Sequence, residues 1–183
     1  MRRIRYQVAA SLDGYIAGPN GEADWITMDP DIDFAAVFDQ FDTFIMGRGT
    51  FEAMVGQQGS AATPGKQTLV ISRTLRQQDH PDMTIVADDL EKTLTALKKK
   101  AGKDIWLFGG GSLFRSLLEL RLVDTIEPAI IPVLLGGGIP LLPATASQLK
   151  LKLTGHRVYK KSGIVLLEYA ISYPRRQKAK SPS

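Results

Sequence analysis

Two rhythms of apolar and polar residues alternate along the chain. Residues 6–12 (YQVAASL) form a largely apolar run that stops at Asp13-Gly14, which reads as a first strand and a turn. After a Gly-Pro-Asn-Gly loop at 18–21, Ile32, Ala35, Ala36, Phe38 and Phe41 recur at helical spacing and predict a helix over 32–41. A short strand at 43–46 runs into a helix at 49–55, and a loop rich in Gly, Gln, Ala and Ser covers 57–66. Strands are predicted at 67–72 (QTLVIS) and 83–87 (MTIVA). Asp88 or Asp89 then caps a helix to residue 101, with Leu90, Leu94 and Leu97 on one face and Lys98, Lys99 and Lys100 at its end. A strand at 104–108 meets Gly109-Gly110-Gly111 and a helix at 112–120, with Leu113, Leu117 and Leu118 facing inward. A strand at 125–133 and the loop LLGGGIPLLP follow. Two alternating runs at 151–160 and 164–173, joined by Lys161-Ser162-Gly163, close the chain as a hairpin.

Strand and helix alternate through the middle, and the chain ends in antiparallel strands. The pattern predicts an α/β fold with a central, mostly parallel mixed sheet flanked by helices and a C-terminal antiparallel hairpin. In such sheets ligands collect beyond the carboxyl ends of the strands, where helix N-termini also lie.

Composition narrows the classes. At 183 residues, a single domain over 1–173 is expected, followed by a basic tail over 174–183. With no cysteine there is no disulfide framework or thiolate chemistry, and with only His80 and His156 no metal site is expected. The N-terminus reads as a strand and not as a signal peptide. No apolar stretch approaches the roughly 18 residues of a membrane helix. A cytoplasmic protein without a membrane partner fits. The formal net charge of +4 is accounted for by Arg175, Arg176, Lys178 and Lys180 in the tail, so the body carries no nucleic-acid footprint.

Two places share one design. Strand 43–46 enters Gly47-Arg48-Gly49-Thr50 and a helix, and strand 104–108 enters Gly109-Gly110-Gly111-Ser112 and a helix. Glycines let a ligand approach the backbone, and each helix start offers unpaired N–H groups and the positive end of a dipole. Two such ends suit a diphosphate. Arg48 adds a positive charge, and Ser72-Arg73 at another strand end suits a further phosphate. Either turn alone is equally a packing device, and the GxGxxG spacing is absent because Leu113 and Phe114 occupy the later positions.

Five segments together resemble the dihydrofolate-reductase-like superfamily, and within it the reductase domain of riboflavin biosynthesis (the C-terminal domain of the bifunctional deaminase-reductase) in a stand-alone form. They are VAASLDGYIA (8–17), FIMGRGTFE (44–52), LVISR (69–73), LFGGGSLFRSLLE (107–119) and IIPVLLGGGIPLL (130–142). The resemblance implies a three-layer dihydrofolate-reductase-like fold and an NADPH-dependent reductase acting on a small heterocycle. It places Gly47, Arg48, Gly49 and Thr50 on one side of the pyrophosphate, and Gly109, Gly110, Gly111, Ser112 and Leu113 on the other. Ser72 and Arg73 would face the 2′-phosphate, and Ala9, Ala10 and Ile16 would border the nicotinamide. Asp13 becomes the expected proton donor if burial raises its pKa. Trp25 either walls the substrate pocket or fills the core.

Asp29, Asp31 and Asp33 do not align with the acid of dihydrofolate reductase, and they read as an acidic N-terminal cap for the 32–41 helix. A deaminase is excluded, since no His-x-Glu stands with a Pro-Cys-x-x-Cys. The substrate remains open between a pterin-like or pyrimidine-like heterocycle in general, the phosphorylated aminouracil of riboflavin synthesis and dihydrofolate. For the phosphorylated substrate, Lys66, Lys160 and Lys161 are candidate anion ligands. A non-catalytic nucleotide-binding module and a structural oligomer are the readings outside enzymology. The resemblance also implies a homodimer, with Ile130, Ile131, Val133, Leu134 and Leu135 as candidate contacts or, equally, as core. The 134–142 loop is a candidate substrate-side or dimer-side element.

Overall fold

Strand β1 (Ile4–Ser11) runs through the middle of the molecule because both of its faces are covered. The computed structural model describes residues 1–144 and 148–174; the basic tail expected at 174–183 lies, apart from Pro174, outside the described residues. The chain continues through β2 (Tyr15–Ala17), α1 (Phe34–Asp39), β3 (Phe41–Gly47), α2 (Arg48–Gln58), β4 (Gln67–Ile71) and β5 (Thr84–Val86). Then come α3 (Leu90–Lys99), β6 (Asp104–Gly109), α4 (Gly111–Glu119), β7 (Thr125–Ile131), β8 (Ile139–Pro140), β9 (Lys150–Tyr159) and β10 (Ile164–Ser172). Eight strands form one sheet in the order β5-β4-β3-β6-β1-β7-β10-β9. The first six are mutually parallel, and β10 and β9 pair antiparallel, so the mixed sheet with a terminal hairpin is as expected.

The helices split between the faces. Leu94 and Leu97 of α3 and Leu113, Phe114, Leu117 and Leu118 of α4 pack on Ile4, Tyr6, Ile45, Ile105 and Leu107. A fully buried leucine such as Leu94 or Leu117 contributes about 1.5–3 kcal/mol. On the other face Phe51 of α2 meets Met46 and Val70, while Val37 and Phe38 of α1 lie against Phe41, Phe44 and Trp106. Among the described residues, no helix is long and apolar enough to cross a membrane.

Four local expectations need correction. Helix α1 is only six residues, because Phe41 opens β3 instead of closing the helix. Its cap is Asp33 alone, whose Oδ1 accepts from Ala36 N at 2.9 Å. Asp29 and Asp31 turn elsewhere: Asp29 accepts from Ser162 N (2.9 Å) and Asp31 pairs with Lys161 (2.7 Å), clasping the β9–β10 turn. At α3, Asp89 is the N-cap by position but sits at φ 50° and makes no side-chain cap bond. The 134–142 segment is not wholly loop, since Ile139–Pro140 pair antiparallel with Tyr15–Ala17 as a second, two-stranded sheet. Gly138 permits this crossing: a Cβ there would stand 2.2 Å from Ala17 O.

Candidate active site

The carboxyl ends of β3 and β6 lie side by side, paired at Met46 and Gly109, so the two glycine turns meet. A Cβ on Gly109 would stand 3.3 Å from Thr50 Oγ1, one on Gly110 3.5 Å from the same atom, and one on Gly47 3.7 Å from the Leu113 side chain. Gly47 is the N-cap of α2 and Gly110 that of α4; neither helix has a side-chain cap or an acid in its first turn. Two adjacent helix starts thus present unpaired N–H groups and two positive dipole ends to one place.

The glycines there have different reasons. A Cβ on Gly49 would meet nothing within 4 Å, so packing within the chain does not require it, although glycine costs about 1 kcal/mol against alanine inside a helix. Gly109 sits at φ 148°, where a side chain is strained. Gly111 is demanded by packing, because its Cβ would lie 2.6 Å from Pro140 O and 3.0 Å from Pro143 Cδ. Ser112 is exposed at the start of α4, and Leu113 is buried between the turns.

Arg48 is exposed. It pairs loosely with Glu52 (3.7 Å) and reaches Thr74 Oγ1 at 3.4 Å. Thr74 in turn lies 3.3 Å from Ser72 Oγ, which also accepts from Thr74 N and Leu75 N. The Ser72 hydroxyl therefore shapes the turn that carries Arg73. Arg73 is exposed and forms no ion pair among the described residues. The three anion-binding features of the sequence are thus contiguous: α4 touches α2 through Thr50, and α2 touches the Ser72 turn through Arg48.

On the neighbouring end of β1, Ala10 is fully buried and Ala9 is half-buried in a cluster with Trp25, Ile131 and Tyr159. Trp25 is fixed by its Nε1 donating to Glu22 O at 3.1 Å. Ile16 is half-buried in β2. Asp13 does not have the buried environment that a raised pKa needs. Its exposed carboxylate accepts from Leu135 N (3.1 Å) and Gly136 N (2.7 Å). The Ser11 hydroxyl, then the Gly136 and Leu135 N–H groups, hold its carboxyl below the usual carboxylate range. That geometry makes Asp13 a charged clamp on the 134–138 segment.

Of the candidate phosphate lysines, Lys66 donates to Phe38 O and Phe41 O, and Lys161 is bound to Asp31. Lys160 is exposed. A cavity of about 300 Å³ on the α4 face of the sheet, among Phe114, Leu118, Ile126, Leu141, Leu151 and Ile171, has little polar lining with which to orient a ligand.

The sequence reading missed one cluster. On the sheet face beneath α1, Glu127 is 3% exposed and accepts from Arg5 Nε and Nη2 (both 2.7 Å), Thr125 Oγ1 (2.6 Å) and Gln7 Nε2 (2.5 Å). Burial pushes the Glu127 carboxyl up, but Arg5, Thr125 and Gln7 together hold it below the ordinary glutamate range. A signal was available. Strands buried on both faces read as near-continuous apolar runs. Arg5 and Gln7 in β1 and Glu127 in β7 break that run at alternate positions with complementary groups.

The chain and its fold match known proteins. The chain matches the RibD C-terminal domain over residues 2–165 and belongs to that family. The protein YyaP of Bacillus subtilis (strain 168) is 36% identical over 179 residues, covering 92% of this chain and 94% of that protein. The crystal structure of a Shewanella sp. PV-4 protein named for riboflavin biosynthesis superposes with a TM-score of 0.80 at 26% identity, over 93% of this chain and 99% of that one. Dihydrofolate reductase from Enterococcus faecalis, complexed with NADP(H) and RAB-propyl, superposes with a TM-score of 0.65 at 20% identity, over 92% and 94%. The last likeness concerns the fold, which is therefore dihydrofolate-reductase-like.

Proposed function

We propose that the protein is an NADPH-dependent reductase that transfers a hydride to a small pterin-like or pyrimidine-like heterocycle. The observation that carries this reading is the meeting of two uncapped helix N-termini at Thr50, Gly109 and Gly110. That arrangement fits a diphosphate, since it supplies main-chain donors and open space and no competing acid. Gly47, Arg48, Gly49 and Thr50 would hold one side, and Gly110, Ser112 and the α4 start the other. Ser72 and Arg73 would take the 2′-phosphate that distinguishes NADPH from NADH. Ala9 and Ile16 would flank the nicotinamide, with Trp25 on the substrate side. The bound cofactor supplies the hydride, and the chain supplies position and exclusion of water. Asp13, charged and clamped, supports the 134–138 segment over this end of the sheet, and the proton comes from solvent.

Titration calorimetry with NADPH and NADH tests the cofactor assignment. Tight binding of NADPH, weak binding of NADH and loss of the preference in Arg73→Ala support it. Binding of neither nucleotide sinks it.

A homodimer fits the outer sheet better than the 130–135 segment does. Ile131 is buried in the core, and of the candidate contacts Ile130, Ile131, Val133, Leu134 and Leu135 only Leu134 is well exposed, at 70%. Edge strand β9 instead exposes Leu151, Leu153 and Val158, each about half, on the face shared with Ile126 and Ile130. Light scattering of Leu153→Glu against wild type tests this, with a shift to monomer expected.

A further inference from the structure

The buried ion pair beneath α1 leaves one side chain unfinished. Each Glu127 oxygen already accepts two hydrogen bonds, so the carboxylate has no capacity left for a ligand. It does fix Gln7. A glutamine amide is ambiguous between two orientations unless a partner decides. Here only the NH2 group can face the carboxylate, so Oε1 points away from it. Among the described residues the Gln7 side chain makes this one bond and is half-buried, which leaves an acceptor and one N–H free. The strand is held in place from below, with Trp106 Nε1 donating to Gln7 O at 3.0 Å. Ala9 lies two residues further on the same face, a rise of about 7 Å, close to the width of one aromatic ring.

We infer that Gln7 is a specificity-determining residue that reads the lactam edge, –NH–C(=O)–, of a pyrimidine or pteridine ring, with Glu127 and Arg5 as its positioning residues. A primary amide matches that edge with one acceptor and one donor. The ring would lie between Gln7 and the Ala9 end of β1. This inference rests on the reductase reading.

The test is calorimetric titration of NADP+-saturated protein with two probes. 5,6-Diaminouracil keeps its ring N–H groups; 5,6-diamino-1,3-dimethyluracil has both ring nitrogens methylated. Wild type is expected to bind the first at least about tenfold tighter, as one satisfied polar contact allows. Gln7→Met, of similar length, is expected to abolish the difference while NADP+ affinity stays unchanged, which a merely structural role would not produce; its Tm should fall modestly, because Glu127 loses one donor. Equal binding of the two probes by wild type, or discrimination retained in Gln7→Met, overturns the inference alone. Failure of wild type to bind NADP+ overturns the reductase reading, and the inference falls with it.

Discussion

The two ends of the candidate site are built from different materials. At the β3 and β6 ends the working groups are main-chain N–H donors, exposed by glycines and the starts of α2 and α4. Beneath α1 they are side chains, Arg5, Gln7 and Glu127, drawn from strands more than a hundred residues apart in sequence. The first end can recognise what every dinucleotide has, a diphosphate. On the inference drawn for Gln7, the second tells one heterocycle from another, because an amide oriented by Glu127 presents a fixed pattern of donor and acceptor. Under the proposed function, cofactor binding thus falls to the backbone and substrate choice to a side-chain network.

The largest effect should come from breaking the network. Glu127→Ala takes the bidentate partner from Arg5, which is 7% exposed, and leaves it Gln40 Oε1 (2.8 Å) and a longer contact to Asp104 (3.6 Å). A buried charge left wholly unpaired costs about 3–5 kcal/mol; with Asp104 still in reach the loss should be about 2–3 kcal/mol, or roughly 4–12 °C of Tm for a chain of this size. Thermal denaturation checks it, and a loss under about 1 kcal/mol would mean that water already reaches the pair.

The glycine end should respond in the opposite way. Gly49→Asp places an anion in the first turn of α2, where the dipole favours it by about 0.3–1 kcal/mol. A diphosphate near the same turn would be repelled. At an effective dielectric constant near 20 and about 5 Å the repulsion is about 3 kcal/mol, or roughly a hundredfold in NADPH affinity. Calorimetry beside thermal denaturation should show binding lost with Tm held or raised. Unchanged affinity would mean that no diphosphate binds at the start of α2.

This contrast also explains what the sequence made legible. Glycine clusters flanked by an apolar strand and a helix are local signals, so the turns at 47–50 and 109–112 stand out from spacing alone. The helical faces of α3 and α4 and the closing hairpin were equally local. What escaped detection depended on distance or brevity. The β2–β8 pair has three residues against two, too short for any period, and needs Gly138 to pass Ala17. Asp29 and Asp31 look like helix-capping acids until the β9–β10 turn is brought beside them. Asp13 looked like a donor in a pocket, but the 134–138 segment that binds it lies 122 and 123 residues away. Pairing across such separations is a property of the folded sheet.

Smaller effects sharpen the comparison at its margins. Arg73→Ala should lower NADPH affinity by about tenfold, a value suited to one charge-assisted contact at an exposed site. NADH affinity should not move, and Tm should stay within error, because Arg73 has no ion pair to lose among the described residues. Equal loss for both nucleotides would assign Arg73 to the diphosphate instead.

The smallest effect is expected at Asp13, and its sign is fixed by its hydrogen bonds. The carboxyl is held below its ordinary value by Ser11 and by the Gly136 and Leu135 N–H groups. A depressed carboxylate contributes stability that is fully present above its unfolded pKa of about 3.9 and is lost as pH falls through the lower folded value. Asp13→Asn keeps an acceptor for one of the two N–H groups but has no charge to titrate. Its Tm at pH 7 should be slightly lower than that of wild type, and the gap should close on acidification below about pH 4. Hydride transfer in a single turnover should slow by less than about tenfold, since a displaced loop costs position and leaves the proton source intact. A loss of a hundredfold or more, with the pH dependence of that rate abolished, would return Asp13 to the role of proton donor.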